Sequence, residues 1–157
     1  MKIIIAALGY NHVIGAGDQM PWWVPEEYQQ FLNFISGQTV IIGRKSYDIF
    51  SKDLPSKRNF VISRQKKFYA RAIVFPSLDK ALREASIYDE DIYIAGGATI
   101  YEQTMDVADR MYLSYIKGDF KGDVYFPRFD PSKWNLQSRV DYPSYEFFIY
   151  AKNSFSG

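Results

Sequence analysis

Cysteine is absent, and histidine occurs once, at His12. The two shortages exclude a thiol nucleophile, a zinc-thiolate cluster and a multi-histidine metal site, and they leave a Ser-His-Asp triad only if His12 serves it. An enzyme of this composition must work through carboxylates or a bound cofactor. Excess charge is also missing. Nineteen Lys and Arg against 18 Asp and Glu leave +1, which gives no global field for nucleic acid or an anionic membrane surface. No apolar run approaches the ~20 residues of a membrane span. The opening run, Ile3 to Leu8, breaks at Gly9-Tyr10-Asn11-His12 without a small-residue cleavage site, so it reads as a buried first strand rather than a leader. The lack of cysteine fits a reducing compartment, and the cytoplasm is expected.

What the sequence does have is apolar bulk: 47% of its 157 residues are hydrophobic, with 13 Tyr, 12 Phe and 3 Trp. A chain of this size buries roughly 70% of the surface its unfolded form exposes. No repeat or linker divides it, and residues 1–157 are expected to form a single domain. Residues 2–8 read as a strand buried on both faces, followed by a long loop from Gly9 to Val24 of the kind that is usually functional. Pro25 suits the first position of a helix whose apolar stripe is Tyr28, Phe31, Leu32 and Ile35, ended by Gly37. Strands follow at 39–42, 59–63, 72–75 and 91–95, and Ser77 caps a helix carrying Ala81, Leu82 and Ala85. Met111–Ile116, Trp134–Val140 and Tyr145–Tyr150 are late strands without intervening helices. The expected fold class is α/β, a mostly parallel sheet flanked by helices on both faces and closed by an antiparallel hairpin near Pro143-Ser144.

Three constellations carry possible chemistry. Glu26 and Glu27 open the first helix, where both acids also suit the positive end of the helix dipole. Glu27 lies four residues before Phe31 and eight before Ile35, on the flank of the apolar stripe, whereas Glu26 is followed at those intervals by Gln30 and Phe34. Glu27 is therefore the inward candidate, and Trp22, Trp23, Tyr28 and Phe31 would desolvate it and raise its pKa. At Gly43-Arg44-Lys45-Ser46 a strand gives way to a helix, and two cations at a helix N-terminus are unfavourable unless an anion joins them. A second basic cluster, Arg64-Gln65-Lys66-Lys67, follows Ser63 at the end of the next strand, and in a parallel sheet both clusters share one edge. Third, Gly96-Gly97 lets the backbone approach a ligand closely at the start of the helix from Ala98 through Tyr101. Three strand-end sites together fit an extended dinucleotide, whose hydride chemistry would replace what side chains lack. His12 reads as a solvated loop residue and Asp123 as a turn acid.

In order and spacing, Ile5-Ala6-Ala7, Val13-Ile14-Gly15, Met20-Pro21-Trp22, Pro25-Glu26-Glu27 with Phe31, Val40 through Ser46, Leu54-Pro55, Ile62-Ser63-Arg64, Gly96 through Tyr101, and Gly122-Asp123 with Phe126-Pro127 resemble the dihydrofolate reductase family. The resemblance covers essentially the whole chain. It implies an eight-stranded sheet and NADPH-dependent reduction of 7,8-dihydrofolate to tetrahydrofolate, hence a place in one-carbon metabolism and thymidylate synthesis. Glu27 falls at the family's active-site acid, with Trp22 beside the water that would carry the proton. Ile5, Ala6, Tyr28, Phe31, Phe50, Lys52, Leu54, Lys57 and Ser114 fall at substrate positions, and Ser114 matches a hydroxyl bonded to the acid. For the cofactor, Arg44, Ser63 and Arg64 match the 2′-phosphate region, and Gly43, Lys45 and Ser46 the pyrophosphate region. Gly96, Gly97, Ala98, Thr99, Ile100, Tyr101 and Gln103 match the glycine turn and its helix, often with a cis Gly-Gly bond. Ala7, Val13, Ile14, Gly15, Gly17, Asp18, Gln19 and Met20 match the first strand's end and the lid over the nicotinamide. The implied partners are dihydrofolate and the antifolates that imitate it, with no metal, nucleic acid or membrane, and a monomer is expected.

One departure concerns the folate tail. Where the family places an arginine that forks onto a carboxylate, this chain has Lys57, with Arg58 one step later. A one-residue shift in a strand turns a side chain to the other face. Either Lys57 suffices, or the loop re-registers and brings Arg58 in. Lys57 is also the one feature that leans towards a second reading, a reductase of the same fold acting on a ribosylated pyrimidine in riboflavin synthesis. A third, non-catalytic reading is a nucleotide-binding module, against which a carboxylate buried without a ligand argues.

Overall fold

In a computed structural model, which describes residues 1–17 and 19–153, the opening apolar run becomes strand β1 (Lys2–Gly9). In chain order it is followed by β2 (Val13–Gly15), α1 (Pro25–Ile35), β3 (Thr39–Gly43), α2 (Arg44–Phe50), β4 (Arg58–Ile62) and β5 (Ile73–Phe75). Then come α3 (Leu78–Ala85), β6 (Ile92–Ile94), α4 (Ala98–Thr104), β7 (Arg110–Ile116), β8 (Val124–Tyr125), β9 (Trp134–Asp141) and β10 (Tyr145–Lys152). Eight strands form one sheet in the order β5-β4-β3-β6-β1-β7-β10-β9. The first six of that order run parallel, β10 pairs antiparallel with β7, and β9 pairs antiparallel with β10 at the edge, as the missing helices predict.

Strand periodicity divides the core into two layers. Ile4, Ala6 and Leu8 face one layer with Ile41, Ile94, Met111 and Leu113, whereas Ile3 and Ile5 face the other with Val40, Ile42, Tyr93 and Ile35 of α1. Full burial of each such isoleucine contributes roughly 1.5–3 kcal/mol. The same alternation puts Ser114 of β7 on the α1 side, one residue on from Leu113. Pro25 opens α1 with no side-chain cap, and Ser77 Oγ accepts the Lys80 N–H at the start of α3.

Part of the loop expected from Gly9 to Val24 is regular structure. Its middle forms β2, which pairs antiparallel with β8 far along the chain. Among the described residues no helix is long and apolar enough to cross a membrane.

Candidate active site

The carboxyl ends of the parallel strands open into a cleft of about 1040 Å³. This reaches the top of the ~300–1,000 Å³ range of single small-molecule sites, so there is room for more than one small ligand. Gly43 at the end of β3, Ser63 after β4 and Ala95-Gly96 after β6 share its rim, the arrangement that parallel pairing dictates.

Glu27 stands at one end of this cleft. It is 7% exposed, while Glu26 beside it faces solvent, and Glu27 and Ile35 are the buried residues of α1. The helical spacing that favours Glu27 over Glu26 is thus what the helix does. Burial pushes its carboxyl from the ordinary 4.5 up to about 7, and the Ser114 hydroxyl holds it down in part. The group therefore exchanges its proton near neutrality. Trp22 is buried nearby, edge-on to Phe120 with ring centroids 5.1 Å apart, and its Nε1 has no hydrogen-bond partner among the described residues. A buried unpaired indole N–H is costly unless a small polar molecule meets it.

The other end is basic and rich in backbone donors. Gly43 and Gly97 are the N-caps of α2 and α4, neither helix has a side-chain cap, and Arg44, Lys45, Ser63, Arg64 and Gln65 line the same rim. The Gly96-Gly97 peptide is cis, and the Gly43 N–H donates to Gly96 O at 2.7 Å, which ties two strand ends together. Gly96 has φ +117°, and a Cβ there would lie 3.2 Å from Ser46 Oγ and 3.3 Å from Tyr101 Oη. The backbone conformation thus favours glycine, and a side chain there would crowd Ser46 and Tyr101. Tyr101 is locked beneath it, its hydroxyl donating to Ile5 O at 2.8 Å. Open helix N-termini, a cradle that a side chain would fill and paired cations suit a pyrophosphate with a further phosphate.

Between the two ends runs an aromatic wall. Phe31 and Phe50 pack with centroids 5.7 Å apart, and Tyr28 lies 6.2 and 6.1 Å from them. Tyr28 also carries the exposed Trp23 ring at 5.5 Å and donates its hydroxyl to Asp53 at 2.6 Å. Across the cleft, Ile14, Gly15, Gly17, Gln19 and Met20 form the opposite wall, the segment expected to act as a lid. Asp123 clasps this lid from outside: its Oδ1 accepts the Gly17 N–H at 3.0 Å and its own N–H donates to Gly15 O at 3.1 Å. Beyond a turn acid, then, Asp123 is a tether.

Several expected site residues lie elsewhere. Lys57 Nζ is 3.6 Å from Glu90, and Arg58 also pairs with Glu90, so neither lines the cleft. Lys52 and Gln103 are exposed outside the lining, Leu54 packs behind Phe50, and Val13 is buried under the lid. Ser114 and Trp22 stand behind the wall, and Asp18 lies outside the described residues. His12 is only partly solvated. It has φ +71°, is half-buried, and lies 6.2–6.4 Å from the rings of Phe126, Phe129 and Tyr115, because the segment after β8 folds over it. That burial, with Arg128 nearby, lowers its pKa. Asp48, Ile49, Ile62, Gln65, Ala95 and Val124 also line the cleft. Continuing the helix phase of α2 past Ser46 would have indicated Ile49, whereas Val124 has no local signal.

A family model described as dihydrofolate reductase matches residues 1–152. Dihydrofolate reductase type 3 of Salmonella typhimurium is 35% identical over 150 residues, 94% of this chain and 91% of its own. The Neisseria gonorrhoeae dihydrofolate reductase is 39% identical over 140 residues, covering 88% and 86%. A dihydrofolate reductase from Enterococcus faecalis, solved with NADP(H) and RAB-propyl, superposes with a TM-score of 0.88 at 24% identity over 98% of this chain and 97% of that one, a likeness of fold. On its cleft, its topology and these sequence matches, the chain belongs to the dihydrofolate reductase family.

Proposed function

We propose that this chain reduces 7,8-dihydrofolate to 5,6,7,8-tetrahydrofolate with NADPH, by hydride transfer to pterin C6 and water-mediated protonation of N5, in support of one-carbon metabolism and thymidylate synthesis. The observation that carries the reading is Glu27, the buried cleft carboxylate whose proton is exchangeable near neutrality. When bound, NADPH supplies the hydride that no side chain of this composition can. Arg44, Lys45, Ser46, Ser63 and Arg64, with the Gly96-Gly97 turn and the α4 N-terminus, would hold its phosphates, and Gly15, Gly17, Gln19 and Met20 would close over the nicotinamide.

Glu27 recognises the pterin edge and favours protonation there, and the unpaired Trp22 Nε1 holds the water through which the proton passes. Phe31, Phe50 and Tyr28 bind the flat rings and exclude solvent, which strengthens every charge interaction in the pocket. The reading brings with it dihydrofolate and antifolates as partners, a cytoplasmic location and a monomeric state. A ribosylated pyrimidine substrate would have no use for Glu27 among these rings.

The test is loss of NADPH absorbance on mixing protein with dihydrofolate. Glu27→Gln should keep NADPH binding and lose turnover by orders of magnitude at neutral pH. No absorbance loss with the parent protein, or near-parental turnover in the variant, overturns the reading.

A further inference from the structure

Gln30 lies one helical turn after Glu27 on α1, so the two side chains share a face. Its neighbour Gln29 points outward and bonds Asn33 along the helix at 2.9 Å. Gln30 turns inward instead. Its Nε2 donates to Ser114 Oγ at 3.4 Å, and its Oε1 accepts the Tyr145 hydroxyl at 2.8 Å. Sheet register makes this reach possible: Phe147 of β10 opposes Ser114 of β7 and Tyr145 opposes Ile116, so Tyr145 and Ser114 are diagonal neighbours on one face. Such diagonals stand roughly 7–8 Å apart, a gap that one amide group bridges. Tyr145 is 3% exposed and packs in the same cluster as Trp22 and Phe147, stacked on Tyr142 at 4.7 Å.

Resting on the reading of Glu27 as the acid of the site, we infer that Gln30 and Tyr145 are positioning residues which, through Ser114, orient a one-way chain of donors onto the Glu27 carboxylate. The Tyr145 hydroxyl donates to Gln30, the Gln30 amide donates to Ser114, and the Ser114 hydroxyl is left to donate to Glu27. Each link polarises the next in the same direction, and the ionised form of Glu27 gains. The neighbouring phenols bring no positive charge: the Glu27 carboxylate acts on the hydroxyls of Tyr101 of α4 and Tyr145 of β10, and both are neutral groups. Burial raises the carboxyl, and a donor aimed at it lowers it again. An acid or base works best when its pKa lies near the operating pH.

The test is carbon NMR of protein labelled at glutamate carboxyl carbons, with Glu27 assigned as the resonance missing in Glu27→Gln. Titrated without ligands, Gln30→Met, which keeps side-chain length, should raise the Glu27 midpoint by about half a pH unit, a roughly threefold change in the ionised fraction. Tyr145→Phe should raise it by less. Ser114→Ala should raise it most, and Gln30→Met added to Ser114→Ala should move it no further, since coupled residues are not additive. An unmoved midpoint in Gln30→Met, or the same shift with and without Ser114, overturns the inference, and an unmoved midpoint in Tyr145→Phe overturns the role of Tyr145. The pH profile of dihydrofolate turnover should shift in the same order. A resonance that moves while the profile stays leaves the donor chain standing and removes Glu27 from the proton step.

Discussion

Arg58 Nη1 lies 3.0 Å from Glu90 Oε2, and the same guanidinium sits 3.5 Å from the centroid of the Tyr88 ring. The arginine one step past the expected tail position is therefore committed to Glu90 and Tyr88 and does not line the cleft. Lys57, 56% exposed and 3.6 Å from the same carboxylate, is the looser partner. Arg58→Ala should lower unfolding stability by ~1 kcal/mol and change the KM for dihydrofolate less than twofold. Lys57→Ala should raise that KM more and leave stability unchanged. Urea titration and steady-state kinetics of the two variants check this, and the opposite pattern would mean that the loop from Ser51 to Ser56 re-registers on binding.

Glu27 makes stability depend on pH with a definite sign. Its folded pKa, about 7, is above the ordinary 4.5. Below 4.5 both folded and unfolded chains hold the proton; as pH rises towards 7 the unfolded chain releases it first, and stability falls by up to ~3 kcal/mol once both states are ionised. Glu27→Gln removes that dependence. The variant should melt close to the parent at acid pH and increasingly above it up to pH 7, with a constant gap beyond. Calorimetry at a series of pH values reads the difference, and a gap that does not vary with pH would contradict the burial of the charge.

The lid depends on Gly122 and Asp123. A Cβ on Gly122 would collide with Gly15 O and lie 2.6 Å from Val13 Cγ1, so Gly122→Ala must push the lid away. Asp123→Ala loses the hydrogen bond to Gly17, worth ~1 kcal/mol, and should open the lid about fivefold more often. Both should weaken NADPH binding while leaving the Glu27 titration in place, with Gly122→Ala the stronger. Fluorescence titration with NADPH measures the loss, and parental affinity in Gly122→Ala would show that the lid does not contact the cofactor.

Thr39 is fully buried at the start of β3, and its Oγ1 has no hydrogen-bond partner among the described residues. Valine has the same shape without the unsatisfied hydroxyl. Thr39→Val should be neutral to stabilising, by up to ~1 kcal/mol, in denaturant unfolding. A loss of stability would mean that the hydroxyl has a partner after all.

Most of the sheet and the acid of the site are legible in the sequence, because both depend on periodicity. The β1 run reads as doubly buried and is; the spacing to Ile35 selects Glu27 over Glu26 and the helix buries that residue; Ser77 caps where a serine before an apolar helix should. These are local consequences of side-chain direction and backbone donors, carried within a few residues. Pairing across long separations is decided only by the tertiary structure. Nothing near Val13 announces β8, nothing near Asp123 announces the Gly17 N–H, and the burial of His12 comes from Phe126 and Phe129. Gln30 is an unremarkable polar residue until the β7–β10 register sets Ser114 and Tyr145 within its reach. The absence of cysteine and the single histidine determined that carboxylates or a bound cofactor must carry the chemistry. Which donors surround that carboxylate, and so where its proton resides, follows from strand register, which no local pattern encodes.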